Sequence, residues 1–232
     1  MADVLEALIA SLVESLNSDG LPCILWGQCL LNIHGISSPI NSIDFIVPTG
    51  LINEADKSLS KFPGLHACTK QPSCPWSPKK RKAEEPVIHM HLDDPNVTVA
   101  LYAHCRILWF IPELGNHLTL DEQHTYLLPH LTVASNSEAL PPHRPGRGSG
   151  FFTTSEYPVI VPRLHLLMET FMRLYLRDSK KREGAYAIDM MERLIPCMND
   201  ADLPGSSEIP ERIKKHYEAL ERGDRLGVGR GS

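Results

Sequence analysis

A glycine and an aspartate on neighbouring predicted elements are the most informative chemical residues of the sequence. Gly27 ends a short apolar run and opens a compact helical turn, with Gln28 after it. Asp44 lies in the alternating run 40–47, two positions after Ser42. A glycine turn at a helix start brings backbone N–H groups close to an anion, and a carboxylate on the next strand can hold a metal or orient an amine. These four residues predict a binding site on two strands.

Asp44 differs from an ordinary strand-end acid because Ile43 and Phe45 flank it. Bulky apolar neighbours disfavour a charged carboxylate unless it is paired, and such acids are typical of functional sites. Two simpler interpretations stay open: a strand-to-helix turn that needs space at Gly27, and a loop-capping role for Asp44.

His89 and His91 are two apart on a predicted strand, so they share one face. They could lie on a metal or in a cleft, but the sequence offers no third ligand nearby, so we expect a partly buried structural pair. The six cysteines include no Cys-x-x-Cys pair. We therefore predict reduced thiols, no structural zinc site, no metal and no cofactor.

Glu169 is the second acid of interest. It forms an i,i+4 pair with Arg173 on the predicted helix 162–178. The simpler interpretation is a solvated salt bridge, and the alternative is a cleft rim that faces a cationic substrate group.

The charge is uneven along the chain, although the net charge is −5. Residues 70–82 hold five basic residues and no acid, and residues 144–182 hold eight basic and three acidic residues. Basic side chains on loops beside an exposed Trp76 suit an RNA backbone and an unpaired base. A solubilising loop or a localisation signal is the equal alternative. The predicted RNA-binding residues are Lys79, Lys80, Arg81, Lys82, Arg144, Arg147, Lys180, Lys181 and Arg182.

Hydropathy patterns predict an α/β core followed by a helical part. No apolar run is long enough for a membrane helix, and the N-terminus lacks the basic start of a leader peptide, so we expect a cytoplasmic protein without a membrane partner. The predicted helices are 2–17, a short turn up to Gly35, 51–62, 162–178, 183–197 and 208–222. The predicted strands are 23–26, 40–47, 65–69, 87–92, 97–104 and 106–111, with 118–134 ambiguous. The predicted domains are an α/β core at 1–135, a basic connection at 136–160, a helical part at 161–225 and a disordered tail at 226–232.

The order of a glycine turn, a helix and an acidic strand resembles the nucleotidyltransferase superfamily over about the first 110 residues. That family pairs a Gly-Gly or Gly-Ser turn with an Asp-x-Asp strand that binds metals. This sequence departs from the pattern, with Gln28 after the glycine and Ser42 in place of the first carboxylate. The predicted strands 87–92 and 97–102 carry no inward acid. Two-metal catalysis needs several carboxylates, so a standard nucleotidyl transfer is disfavoured.

Further motifs resemble a group of small fungal proteins of nucleotidyltransferase-like appearance. They are Trp26-Gly27, Asp44-Phe45-Ile46-Val47-Pro48, Arg106-Ile107-Leu108-Trp109, Pro142-His143-Arg144-Pro145-Gly146-Arg147-Gly148 and Tyr157-Pro158-Val159. Some such proteins are arginine-containing cyclodipeptide synthases, which draw on arginyl-tRNA and a second charged tRNA. The resemblance implies a buried acid for the arginine guanidinium, Asp44 or Glu169, and a general base, Asp44, His89 or His91.

Three other functions remain open at this point. The chain could be a nucleotidyltransferase with rearranged metal ligands, an inactive nucleotidyltransferase-like protein that binds RNA, or a structural interaction protein.

Overall fold

The computed structural model describes five stretches and several single residues of the chain. They are residues 2–69, 83–93, 97–115, 129–142 and 157–198, with Cys74, Phe152, Lys215, Glu218, Ala219 and Arg222. The predicted tail at 226–232, most of the predicted helix 208–222 and most of the ambiguous stretch 118–134 lie outside these residues. The chain divides into two compact units, one of Met1–Pro72 with Pro86–Arg163, the other of Ser73–Glu85 with Leu164–Ser232.

The first unit contains a mixed seven-stranded sheet with the order β3-β4-β5-β2-β1-β7-β6. Strand β2 pairs in parallel with β5, β1 pairs in parallel with β7, and the other neighbours are antiparallel. The strands are β1 (Ile24–Trp26), β2 (Ser42–Val47), β3 (Leu65–Ala67), β4 (Ile88–Leu92), β5 (Thr98–Ala103), β6 (Leu131–Val133) and β7 (Ile160–Pro162). The predicted α/β class is confirmed.

The described residues form six helices, four in the first unit and two in the second. They are α1 (Ala2–Ser18), α2 (Gln28–Ile33), α3 (Ile52–Leu59), α4 (His104–Ile107), α5 (Leu164–Asp178) and α6 (Arg182–Leu194). Helix α2 packs on β1 and β2, and α3 packs on α1 and β5. Strands β2 and β5 are buried along their whole length, because both lie in the middle of the sheet and have apolar side chains on most positions. Among the described helices, none is long and apolar enough to cross a membrane.

Two sequence predictions of local structure are wrong. The stretch 106–111, predicted as a strand, begins inside helix α4. A short apolar run does not distinguish a strand from a helical turn, and here the hydroxyl of Thr49 accepts the backbone N–H of Cys105 at 3.1 Å, which satisfies a helix-start donor. Strand β7 occupies 160–162, where we predicted the start of the helical part, because three residues are too few to show a period of two.

The second unit contains α5 and α6, which pack against each other. Asp178 ends α5 and is buried, and it accepts hydrogen bonds from Arg177 at 2.6 Å and Lys181 at 2.7 Å. Burial raises the pKa of Asp178, but these two cationic donors outweigh it and the net pKa lies below its usual value. The ionised Asp178 therefore fixes the turn between the two helices.

Gly184 gives a stability test of this helix pair. An added Cβ would overlap the backbone carbonyl of Asp178, which cannot move like a flexible side chain. We expect Gly184→Ala to lower the free energy of unfolding by about 2 kcal/mol, although the same change in an open helix raises it by about 1 kcal/mol. Urea denaturation measures the effect. Gly50→Ala is the control, since its Cβ would meet nothing, and a stabilised Gly184→Ala protein would contradict the close approach.

Candidate functional site

One face of the sheet in the first unit collects four of the predicted site residues. Asp44 is the register partner of Ala100 on β5, and Ala100 is the partner of His89 on β4. In the same way, Thr98 on β5 is the register partner of both Ser42 and His91. Partners in paired strands point to the same face of the sheet. Ser42, Asp44, His89 and His91 therefore lie in two neighbouring rows on one face.

The spacing within these rows follows from the sheet itself. Asp44 and His89 are separated by the single strand β5, so their strands lie about 10 Å apart. The β5 residues between them are small and buried: Ala100 lies in the row of Asp44 and His89, and Thr98 lies in the row of Ser42 and His91. On this face an acid on β2 and two imidazoles on β4 are therefore separated by the small side chains of β5.

Asp44 is held by its immediate neighbours. It is 5% exposed, and the hydroxyl of Ser42 donates a hydrogen bond to Asp44 Oδ1. A Cβ atom at position 27 would overlap Asp44 Oδ2. Gly27 also has a φ of 73°, a backbone conformation that residues with a side chain rarely adopt. The glycine therefore makes room for the carboxylate. Gln28, the next residue, is half-buried at the start of the six-residue helix α2.

Cys29 lies beside this acid and is buried. Its thiol donates to the carbonyl oxygen of Ser42 at 3.5 Å. Burial, reinforced by the charge of Asp44, raises the pKa of Cys29 far above its usual value. A neutral thiol is a poor nucleophile, so Cys29 fills space next to Asp44.

Glu169 is already paired within the second unit. Its Oε1 accepts the Nε–H of Arg173 at 2.8 Å and lies 2.6 Å from Nη2. The side chains are 13% and 20% exposed, respectively, so the pair is less solvated than an ordinary surface salt bridge. The carboxylate thus has a guanidinium of its own chain as its partner.

The predicted RNA-binding residues are described only in part. Lys180, Lys181 and Arg182 are exposed at the junction of α5 and α6, and Lys181 is engaged with Asp178. The other predicted contacts, Lys79, Lys80, Arg81, Lys82, Arg144 and Arg147, lie outside the described residues.

A polar cluster in the first unit, which was not predicted from the sequence, consists of Thr49, His104 and Glu113. Glu113 Oε1 accepts the Thr49 hydroxyl at 2.7 Å and the Thr49 N–H at 3.1 Å, and lies 3.7 Å from His104 Nδ1. The Thr49 hydroxyl lowers the pKa of Glu113. Within the described part of the chain, His104 Nε2 is buried and makes no hydrogen bond. No spacing signal marks these residues, because 49, 104 and 113 are far apart in sequence.

Comparisons with known proteins do not assign the chain to a family. No family model, curated protein or solved structure matches it significantly.

His104 gives the fold a pH dependence with a defined sign. Burial lowers the pKa of His104 below 6.5, against the opposite effect of Glu113. Between the folded pKa and 6.5 the unfolded chain binds more protons, so stability is lost as the pH falls below about 6.5. We expect His104→Gln to have a flatter stability profile than the parent chain, measured by urea denaturation between about pH 5 and pH 7.5. An unchanged slope in His104→Gln would contradict the assignment.

Proposed function

We propose that the chain is a transferase that joins two aminoacyl groups from charged tRNAs, one of them arginyl-tRNA, into an arginine-containing cyclic dipeptide. The observation that carries the proposal is Asp44. Among the seven described strands it is the only carboxylate, it is buried, and the Ser42 hydroxyl fixes its orientation.

A buried carboxylate favours a cationic substrate group. Removing its charge from water is costly unless a partner compensates. An α-ammonium group or a guanidinium would provide that charge, and a guanidinium can donate two parallel hydrogen bonds to one carboxylate. Of the two predicted acids, Glu169 already pairs with Arg173. We assign Asp44 to the substrate because it lies beside the Gly27 turn, on the sheet face that also carries Ser42 and His89.

The proposed reaction needs no nucleotide triphosphate, because each aminoacyl ester is already activated. The α-amine of one aminoacyl group, once it loses a proton to a general base, attacks the ester carbonyl of the other. An amide bond forms, the ester C–O bond breaks, and the tRNA 3′-terminal oxygen takes a proton. A second attack of the same kind closes the ring and releases the second tRNA. This chemistry implies a cytoplasmic location, where charged tRNAs are found.

A two-metal nucleotidyl transfer has less support from the same face. Paired Mg²⁺ ions need several carboxylate oxygens, whereas the positions around Asp44 are Ser42, Trp26 and Ala100. The order α1-β1-α2-β2, with its glycine turn, supports a nucleotidyltransferase-like core as part of our proposal. The proposed chemistry on that core is aminoacyl transfer.

Replacement of Asp44 tests the proposal directly. We expect a bacterium that expresses the chain to release an arginine-containing cyclic dipeptide, detected by mass spectrometry of the medium. Asp44→Asn should reduce the product by about 100-fold or more, since it removes the charge without changing the shape. Ser42→Ala should reduce it by about tenfold, through the loss of one hydrogen bond to a charged group.

The control is Glu54→Gln, which neutralises an exposed acid on α3 of the same unit and should keep the parental yield. Absence of any arginine-containing cyclic dipeptide, with folded protein present, would refute the function. Parental yield from Asp44→Asn would refute the site alone. Mg²⁺-dependent incorporation of a labelled nucleotide would favour the nucleotidyltransferase.

The junction of α5 and α6 gives a test of tRNA binding. Each lysine or arginine on a phosphate contributes to the salt dependence of the affinity. We expect Lys180→Glu with Arg182→Glu to weaken tRNA binding and to lower the slope of log affinity against log salt by about two. Filter binding at several KCl concentrations measures it. Lys57→Glu, an exposed lysine of α3, is the control, and equal slopes in all three proteins would exclude the junction as a docking surface.

A further inference from the structure

Three side chains of types that can bind a metal lie close together at the edge of the sheet in the first unit. Ala67 of β3 is the register partner of Met90, so Cys68, the next residue, comes opposite His89 beside the end of β3. His91 lies two residues further along β4, on the same face. One ligand atom from each of Cys68, His89 and His91 lies within 4.8 Å of the others.

These distances are close to those of a bound zinc ion. With bonds of about 2.0–2.1 Å to nitrogen and about 2.3 Å to sulfur, tetrahedral ligand atoms lie about 3.3–3.8 Å apart. The three ligand atoms therefore need to approach one another by about 1.5 Å at most, which is within the range of side-chain rotation. The two imidazole rings are already arranged edge to face, with centroids 5.5 Å apart.

The type of ligand selects the metal. Imidazole nitrogen and thiolate sulfur favour zinc over Mg²⁺ and Ca²⁺, which prefer oxygen. Three protein ligands leave the fourth tetrahedral position to a water molecule, as in other zinc sites with three protein ligands.

We propose that Cys68, His89 and His91 bind one zinc ion. The ion ties β3, a three-residue edge strand, to β4 and so stabilises the edge of the sheet. This inference differs from the prediction of no metal, which rested on the absence of a Cys-x-x-Cys pair and of a third ligand close to the two histidines in sequence. The observations behind it are independent of the proposed reaction, although histidines bound to zinc would no longer be available as general bases.

Metal content of the whole purified chain tests the site. We expect one equivalent of zinc by elemental analysis after purification with zinc and gel filtration. Cys68→Ser and His91→Asn should each lower the zinc affinity at least about tenfold in a chelator competition. Cobalt in place of zinc should give the visible bands of a tetrahedral thiolate site in the parent chain and lose them in Cys68→Ser.

Two matched controls separate ligands from neighbours. His66 lies opposite His91 and pairs with Asp93 at 2.7 Å, and Cys105 is an exposed thiol of the same unit. His66→Gln and Cys105→Ser should keep one equivalent of zinc. A chelator should lower the melting temperature of the parent chain but not that of His91→Asn, which gives a readout even if Cys68→Ser fails to fold.

The outcomes are separable from those of the proposed reaction. Less than one-half equivalent of zinc in the parent chain, or full zinc affinity in both Cys68→Ser and His91→Asn, would overturn the site. One equivalent of zinc without any cyclic dipeptide would support the site while refuting the function.

Discussion

The burial of one charged side chain in the central strand governs the proposed site. Asp44 lies in β2, a strand buried along its whole length, and the fold accommodates it with a hydroxyl donor at Ser42 and with a glycine at position 27. An uncompensated carboxylate in such a strand would cost several kcal/mol. In the proposed site, an acid at this position favours a cationic substrate group over an anionic one.

The register of the sheet brings residues that are far apart in sequence to the same face. Asp44 and His89 are 45 positions apart in sequence, but Ala100 is the partner of both. The same register brings Cys68 opposite His89 at the sheet edge. One face thus carries two chemically different groups, an acid in the centre and nitrogen and sulfur ligands at the edge. A carboxylate for a cation and a ligand set for zinc need not compete, since β5 lies between them.

Much of the fold and part of the site could be predicted from the sequence. Long periodic segments such as 2–17 and 162–178 predicted helices. The glycine turn, followed by an acidic strand, predicted Asp44 as a site residue. Short elements gave no such signal, as 106–111 and 160–162 show. The cluster of Thr49, His104 and Glu113 was missed for another reason, since its members are joined only by hydrogen bonds across the fold.

The sequence by itself determined the α/β class, the single acid in the strand Ser42–Val47 and the common face of His89 and His91, since these depend on the period of side chains along one segment. Only the tertiary structure decided which segments lie side by side. It brought Cys68 to the two histidines and joined Asp44 to their face through Ala100. Strand pairing joins positions of any sequence separation through backbone hydrogen bonds, and no local pattern encodes its register across the whole sheet.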